Sequence, residues 1–215
     1  MRSLSFTFVI ALLVSPCVIA APMHGAQHGH QAAATTSSWP NVELQLRGLP
    51  ETSLDAPVTH GVFAQCSNPA TPPGGQKANH WRLFFAIAED QSFSFDMVGA
   101  DAAHGTLGVL GRPSYPVSNQ GVLIVPMMPR VAHLTVRSVL DLIEHHGLLR
   151  YRYAANGEGC RCWVSTVVHL LKDQGLIVSA GPNFPEFDNS IGCVWRHGAH
   201  GPEGTPRPVE QGHFY

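Results

Sequence analysis

The run Gly157-Glu-Gly-Cys-Arg-Cys-Trp-Val-Ser-Thr-Val-Val-His-Leu-Leu171 joins a glycine-rich turn to an apolar stripe. Cys160, Trp163, Val164, Val167, Val168 and Leu171 recur at i, i+3, i+4, i+7, i+8 and i+11, which is one face of an α-helix. Gly175 supplies the stop signal. Cys160 falls on the inward face at the helix start. Cys162 lies roughly 200° around the wheel from it and reads as outward. A helix start favours an anion through its unpaired N–H groups and its dipole. A thiol placed there has a lowered pKa, and the same N–H groups suit the oxyanion of a tetrahedral intermediate. Cys160 is therefore a candidate nucleophile, and Cys162 with Cys193 a candidate disulfide pair. The plainer readings of Cys160 are a small core hydrophobe, or a half-cystine paired with Cys193, Cys66 or another chain.

A cysteine nucleophile needs a base, and the base needs an orienting partner. Upstream, Asn79-His-Trp81 opens the β-prone run His80 to Ile87. Ser92 to Met97 then alternates, with Phe93, Phe95 and Met97 on one face and Asp96 on the other. His80 is the candidate base and Asp96 the candidate residue holding its imidazole. Further strands are expected over Asn41–Arg47, Val58–Cys66, Thr106–Leu110, Val122–Val125 and Leu176–Ser179, the middle ones as an antiparallel meander. A first helix is capped by Thr135, runs through Val139, Leu140, Leu142 and Ile143, and ends at Gly147. The expected fold class is α+β, a small antiparallel sheet packed against two or three helices.

Residues 1–20 carry Arg2, an apolar run from Phe6 to Leu13, and small residues before a cut after Ala20, as in a secretory signal peptide. Secretion is the expectation, with no membrane span left after cleavage. Residues 21–40 read as a disordered His/Ala-rich leader. The simpler reading of His24, His28 and His30 is an incidental histidine-rich linker, and the alternative is transition-metal capture. Residues 41–196 form the expected single globular domain, and 197–215 an irregular Gly-, Pro- and His-rich tail. With 13 Lys+Arg against 15 Asp+Glu and no basic stripe, the chain has no electrostatic footprint for nucleic acid. Loss of Cys17 with the signal leaves Cys66, Cys160, Cys162 and Cys193, too few for a disulfide scaffold. Cys160 and Cys162 diverge on the helix, and His169 is seven residues beyond Cys162. The C-x-C pair with His169 therefore does not read as a zinc site, and no cofactor is expected.

The run NHWRLFFAI resembles the His-Trp-x-x-x-Phe/Tyr strand of the circularly permuted papain-like group that includes lecithin:retinol acyltransferase. Tyr153 to Val164 is similar to that group's nucleophile-helix motif. The resemblance implies a permuted papain-like fold with His80, Asp96 and Cys160 as base, orienter and nucleophile. The chain departs from that pattern: Gly159 stands where the group has Asn, and Asp96 where it commonly has His. The group's hydrophobic lipid-binding additions are not visible here. Segment 79–178, through NHW, the strand ending Asp-Met, and Gly-Cys-Arg-x-Trp-Val, more closely resembles an uncharacterised fungal family, domain of unknown function 7770. That resemblance implies no established activity.

Two functions follow as expectations. One is a secreted cysteine-dependent acyl-transfer enzyme (hydrolase, amidase or acyltransferase) acting on a small-molecule or protein substrate. The other is a secreted non-catalytic binding or effector module on the same fold.

Overall fold

The computed structural model describes residues 39, 41–67, 69, 78–99, 103–112, 121–154 and 158–215. Residues 1–20, read as a signal peptide, and His24, His28 and His30 lie outside the described residues. So does most of the turn-rich stretch 111–120.

Among the described residues the chain is mostly antiparallel sheet with three α-helices, an α+β arrangement. Strands β1 (Val42–Gln45), β2 (Gly61–Ser67), β3 (Trp81–Ala86), β4 (Ser92–Gly99), β5 (His104–Arg112) and β6 (Gly121–Pro129) precede helix α1 (Val136–His145). After them come β7 (Arg150–Arg152), helix α2 (Cys160–Asp173), β8 (Ile177–Ser179) and helix α3 (Phe187–Ile191). The chain ends with β9 (Cys193–Gly198), β10 (Gly201–Pro206) and β11 (His213–Phe214). The expected sheet was small, but the observed one has nine strands in the order β11-β7-β5-β4-β3-β2-β6-β8, with β1 pairing parallel to β5. β2 to β5 form the expected meander, and β6 crosses back to the free edge of β2. The strands β7, β8 and β11 that widen the sheet have two or three residues each, too short to carry much periodicity.

Alternation sorts the meander into two faces. Cross-strand partners Cys66–Trp81, Ala64–Leu83, Val62–Phe85, Phe93–Phe85 and Phe95–Leu83 are all buried and share one face. The helices cover it, α2 packing against β3, β4 and β8. Arg82 and Asp96, one step out of phase, belong to the opposite face.

Thr135 caps α1 as expected. Its hydroxyl accepts from the Ser138 N–H while the Ser138 hydroxyl accepts from the Thr135 N–H, a capping box. Both long helices end on glycines at φ +67°, Gly147 and Gly175, where a side chain would be strained. At each end the residue after the glycine donates back five positions, Leu148 to Ile143 and Leu176 to Leu171.

Two boundaries differ from expectation. Trp39, read as part of the leader, is buried at 2% exposure and donates through Nε1 to Asp141 on α1 at 3.0 Å. The tail read as irregular forms the β9–β10 hairpin and, in β11, an edge strand on β7. The glycines and prolines of β10 sit in a paired ribbon exposed at nearly every position, so the hydrophobic pattern is absent although the pairing is present.

Helix α2 is held to the rest of the core by Trp163, fully buried, whose Nε1 donates to the Leu148 carbonyl at 2.7 Å. Trp163→Phe keeps most of the apolar bulk and strands that carbonyl in the core. We expect a loss of about 1–3 kcal/mol of stability in urea unfolding.

Candidate functional site

The start of β3 and the start of α2 meet. The Trp81 N–H donates to the Cys160 Sγ at 3.4 Å, and the Cys160 and His80 side chains share a hydrogen bond. On its other side the His80 Nε2 lies 2.7 Å from Asp96 Oδ1. The three residues singled out in the sequence therefore converge in the order Cys160–His80–Asp96, from a helix N-terminus, a strand start and the neighbouring strand. Nε2 is on Asp96, which leaves Nδ1 to serve the thiol. Cys160 is fully buried, whereas the His80 and Asp96 side chains are 31% and 23% exposed.

The electrostatics favour a thiolate–imidazolium pair. Burial pushes the Cys160 thiol up, but the charge and hydrogen bond of His80 outweigh it and hold the thiol below its usual value. Burial likewise opposes protonation of His80. The negative charges of Asp96 and Cys160 outweigh that and lift His80 to about 10. Asp96, in turn, loses through burial and gains more from His80 and Arg82, so its carboxyl lies below the ordinary range. No such partner serves Cys66, which burial pushes up to about 12, or Cys193, which burial also raises.

Cys162 departs from its expected position. It is 3% exposed and contacts the Thr166 hydroxyl at 3.7 Å, so it does not face outward. The first half of α2 is enclosed on nearly every side, with Arg161, Cys162, Trp163, Val164 and Ser165 all buried. The outer side is covered by the C-terminal segment whose order the sequence concealed. None of Cys66, Cys160, Cys162 and Cys193 is in a disulfide in the structure, so the expected Cys162–Cys193 pair is not joined.

Several residues that support the site carried no signal in a motif search. Asn79, 1% exposed, donates to the Ser67 and Trp195 carbonyls and accepts from the Trp195 N–H, tying β9 to the residue before His80. The His80 N–H donates to the Ser67 hydroxyl at 3.2 Å. Arg161, with no exposed surface, donates to the carbonyls of Ile191, Arg207 and Pro208. Glu158, also fully buried, pairs with Arg207. Arg82 alone was recoverable, because it shares the His80 face at a spacing of two.

His169, considered with the C-x-C pair, sits at the far end of α2. It bonds the Ser165 carbonyl through Nδ1 at 2.8 Å and Asp188 through Nε2 at 2.8 Å. Lys172 joins the same carboxylate, making a clasp between α2 and α3. Among the described residues no helix is long and apolar enough to cross a membrane.

The model of the family described as domain of unknown function (DUF7770) matches residues 60–215, and the chain belongs to that family. The matched region holds all three residues of the site and the whole C-terminal segment over α2. A search of curated proteins gave no match, and a search of solved structures gave none.

Glu158, a buried carboxylate paired with the partly exposed Arg207, lies two residues from Cys160, so loss of the pair should be felt at the site. Arg207→Ala strips a buried carboxylate of its guanidinium. We expect a cost of about 3–5 kcal/mol in urea unfolding, with much of it regained in the double variant Glu158→Leu/Arg207→Met.

Proposed function

We propose that the protein is a secreted, cysteine-dependent acyl-transfer enzyme, a hydrolase, amidase or acyltransferase. The convergence of Cys160, His80 and Asp96, with His80 Nε2 2.7 Å from Asp96 Oδ1 and the imidazole against the thiol, is the observation that carries this reading. The Cys160 thiolate attacks an acyl carbonyl carbon, forming the C–S bond and moving the carbonyl π electrons onto oxygen. Backbone N–H groups at the start of α2 face the resulting oxyanion. Collapse of the intermediate breaks the bond to the leaving alcohol or amine, which takes the proton from the His80 imidazolium. Neutral His80 then removes a proton from water, or from an acceptor alcohol or amine, as its oxygen or nitrogen attacks the thioester. Expulsion of the thiolate releases product and restores the ion pair. Asp96 keeps Nε2 protonated and the ring oriented throughout.

Secretion belongs to the same proposal and is supported by the charged, apolar and small-residue sequence of residues 1–20. Kinship with the permuted papain-like group is supported by the chain order of His80, Asp96 and Cys160 and by their placement on two strands and a helix. The second reading, a non-catalytic binding or effector module, is favoured by one observation: Cys160 has no exposed surface.

Iodoacetamide labelling followed against pH separates the two. The thiol value is lowered and the histidine value raised, so the pair is ionised from below the ordinary thiol range up to about pH 10. The two steps belong to the coupled pair, not to either residue alone. We expect Cys160 to react well below pH 8, ahead of Cys66, and to slow sharply in His80→Ala. An ester and amide screen with Cys160→Ala as control should show turnover that falls on the alkaline side as His80 loses its proton. An ordinary thiol profile for Cys160, or its recovery in a disulfide by intact mass, would sink the catalytic reading.

A further inference from the structure

We infer that Arg82 is a positioning residue of the thiol site, holding Asp96 so that a single carboxylate oxygen is presented to His80. This rests on the thiol-site reading above and extends it by one residue.

The geometry divides the carboxylate cleanly. Oδ1 faces His80 Nε2 at 2.7 Å, and Oδ2 receives the Arg82 Nε–H at 2.7 Å. A carboxylate with one donor can rotate and exchange its oxygens, and it then steers an imidazole poorly. Two donors from fixed backbone positions set the carboxylate plane and with it the ring plane of His80. Strand geometry explains why Arg82 can do this. His80 and Arg82 are two residues apart and so share a face. Asp96 lies one step beyond the Leu83–Phe95 pair, directly across from Arg82, with His80 on the diagonal.

The titratable and charged groups around Asp96 are few. His80 comes from the residue just before β3 and Arg82 from β3, Cys160 stands behind His80 on α2, and Glu43 of β1 lines the same surface groove with Gln45, Ser94 and Asp96. Arg82 is thus the cation on the solvent side of Asp96, 37% exposed, where the groove admits water. Its charge and hydrogen bond both favour the ionised carboxylate. Without them Asp96 takes up its proton at a higher pH, and His80 loses its anchor sooner on acidification.

The rival reading is an ordinary cross-strand salt bridge that only steadies the sheet. Two readouts separate it from positioning. The first is the acid limb of Cys160 labelling by iodoacetamide; the second is the downfield proton resonance of the His80 Nε2–H bonded to Asp96. In Arg82→Gln we expect the acid limb to move up, with labelling at pH 5 falling about tenfold, equivalent to one pKa unit. We also expect the His80 resonance to broaden or vanish. Arg82→Lys, which keeps the charge, should recover most of the acid limb and only part of the resonance. A thermal melt confirms that each variant is folded, and Arg82→Lys alone still decides the matter if Arg82→Gln is not, since its resonance must then weaken. An acid limb and a His80 resonance unchanged from the parent overturn the positioning role while leaving the thiol site standing. An ordinary thiol profile in the parent protein overturns both.

Discussion

The Trp81 N–H donating to the Cys160 Sγ fixes the beginning of α2 on the beginning of β3, and the rest of the arrangement follows from that seat. Trp81 is the first residue of β3, so the contact is made where the strand still has a backbone donor to give. Cys160 is the first residue of α2, so its sulfur arrives together with the unpaired N–H groups of the first turn. A serine or alanine at the same place could cap or fill the space. Only a thiol next to His80 gains an imidazolium partner that outweighs the cost of burial. The apolar stripe of α2 then lies along β3 and β4, and the core of the sheet's inner face closes beneath it.

The site joins two faces of one sheet. The inner face belongs to the helices and is apolar; the outer face carries Arg82 and Asp96. His80 precedes β3, off the ladder, where its ring can reach a carboxylate on the outer side and a thiol at the start of α2. An imidazole inside the strand could not do both, because alternation commits each ladder position to one face. Asn79 and Ser67 hold the backbone of this bridging residue, and the Asn79 side chain acts as an extra peptide group for β9.

What the sequence disclosed, and what it hid, divide along the same physical line. Helix α2, the capping box at Thr135, the glycine stops and the alternation of β4 are local signals, each complete within about a dozen residues. The three candidate site residues were legible because each sat beside such a signal: a strand start, a polar strand face and a helix N-terminus. The C-terminal segment was not legible, since its strands gain their order from long-range pairing. β10 reads Gly-Pro-Glu-Gly-Thr-Pro, with no apolar period, and pairs residue for residue with β9. The outward assignment of Cys162 failed for the same reason. A helical wheel assumes solvent on the polar side, and here Arg161 turns that side into a binding surface for the carbonyls of residues 191, 207 and 208.

This places an unusual demand on the buried charges. Arg161 and Glu158 bracket the start of α2, and neither has exposed surface. Each would be costly to bury alone, and each is answered by the C-terminal segment: Arg161 by main-chain carbonyls, Glu158 by Arg207. The surroundings of Cys160 are therefore completed by residues some fifty positions downstream. Asn79, beside His80, is completed by Trp195, 116 residues away. Contacts of that separation close late, because the loop entropy must be met before they reward it. A chain lacking the C-terminal segment would retain Cys160, His80 and Asp96 and the α2 stripe. It would also expose a guanidinium and a carboxylate at the start of the helix. The low thiol pKa is set by the charge and hydrogen bond of His80 and by the Trp81 N–H, whereas the enclosure of the first turn of α2 depends on the segment from Ile191 onward.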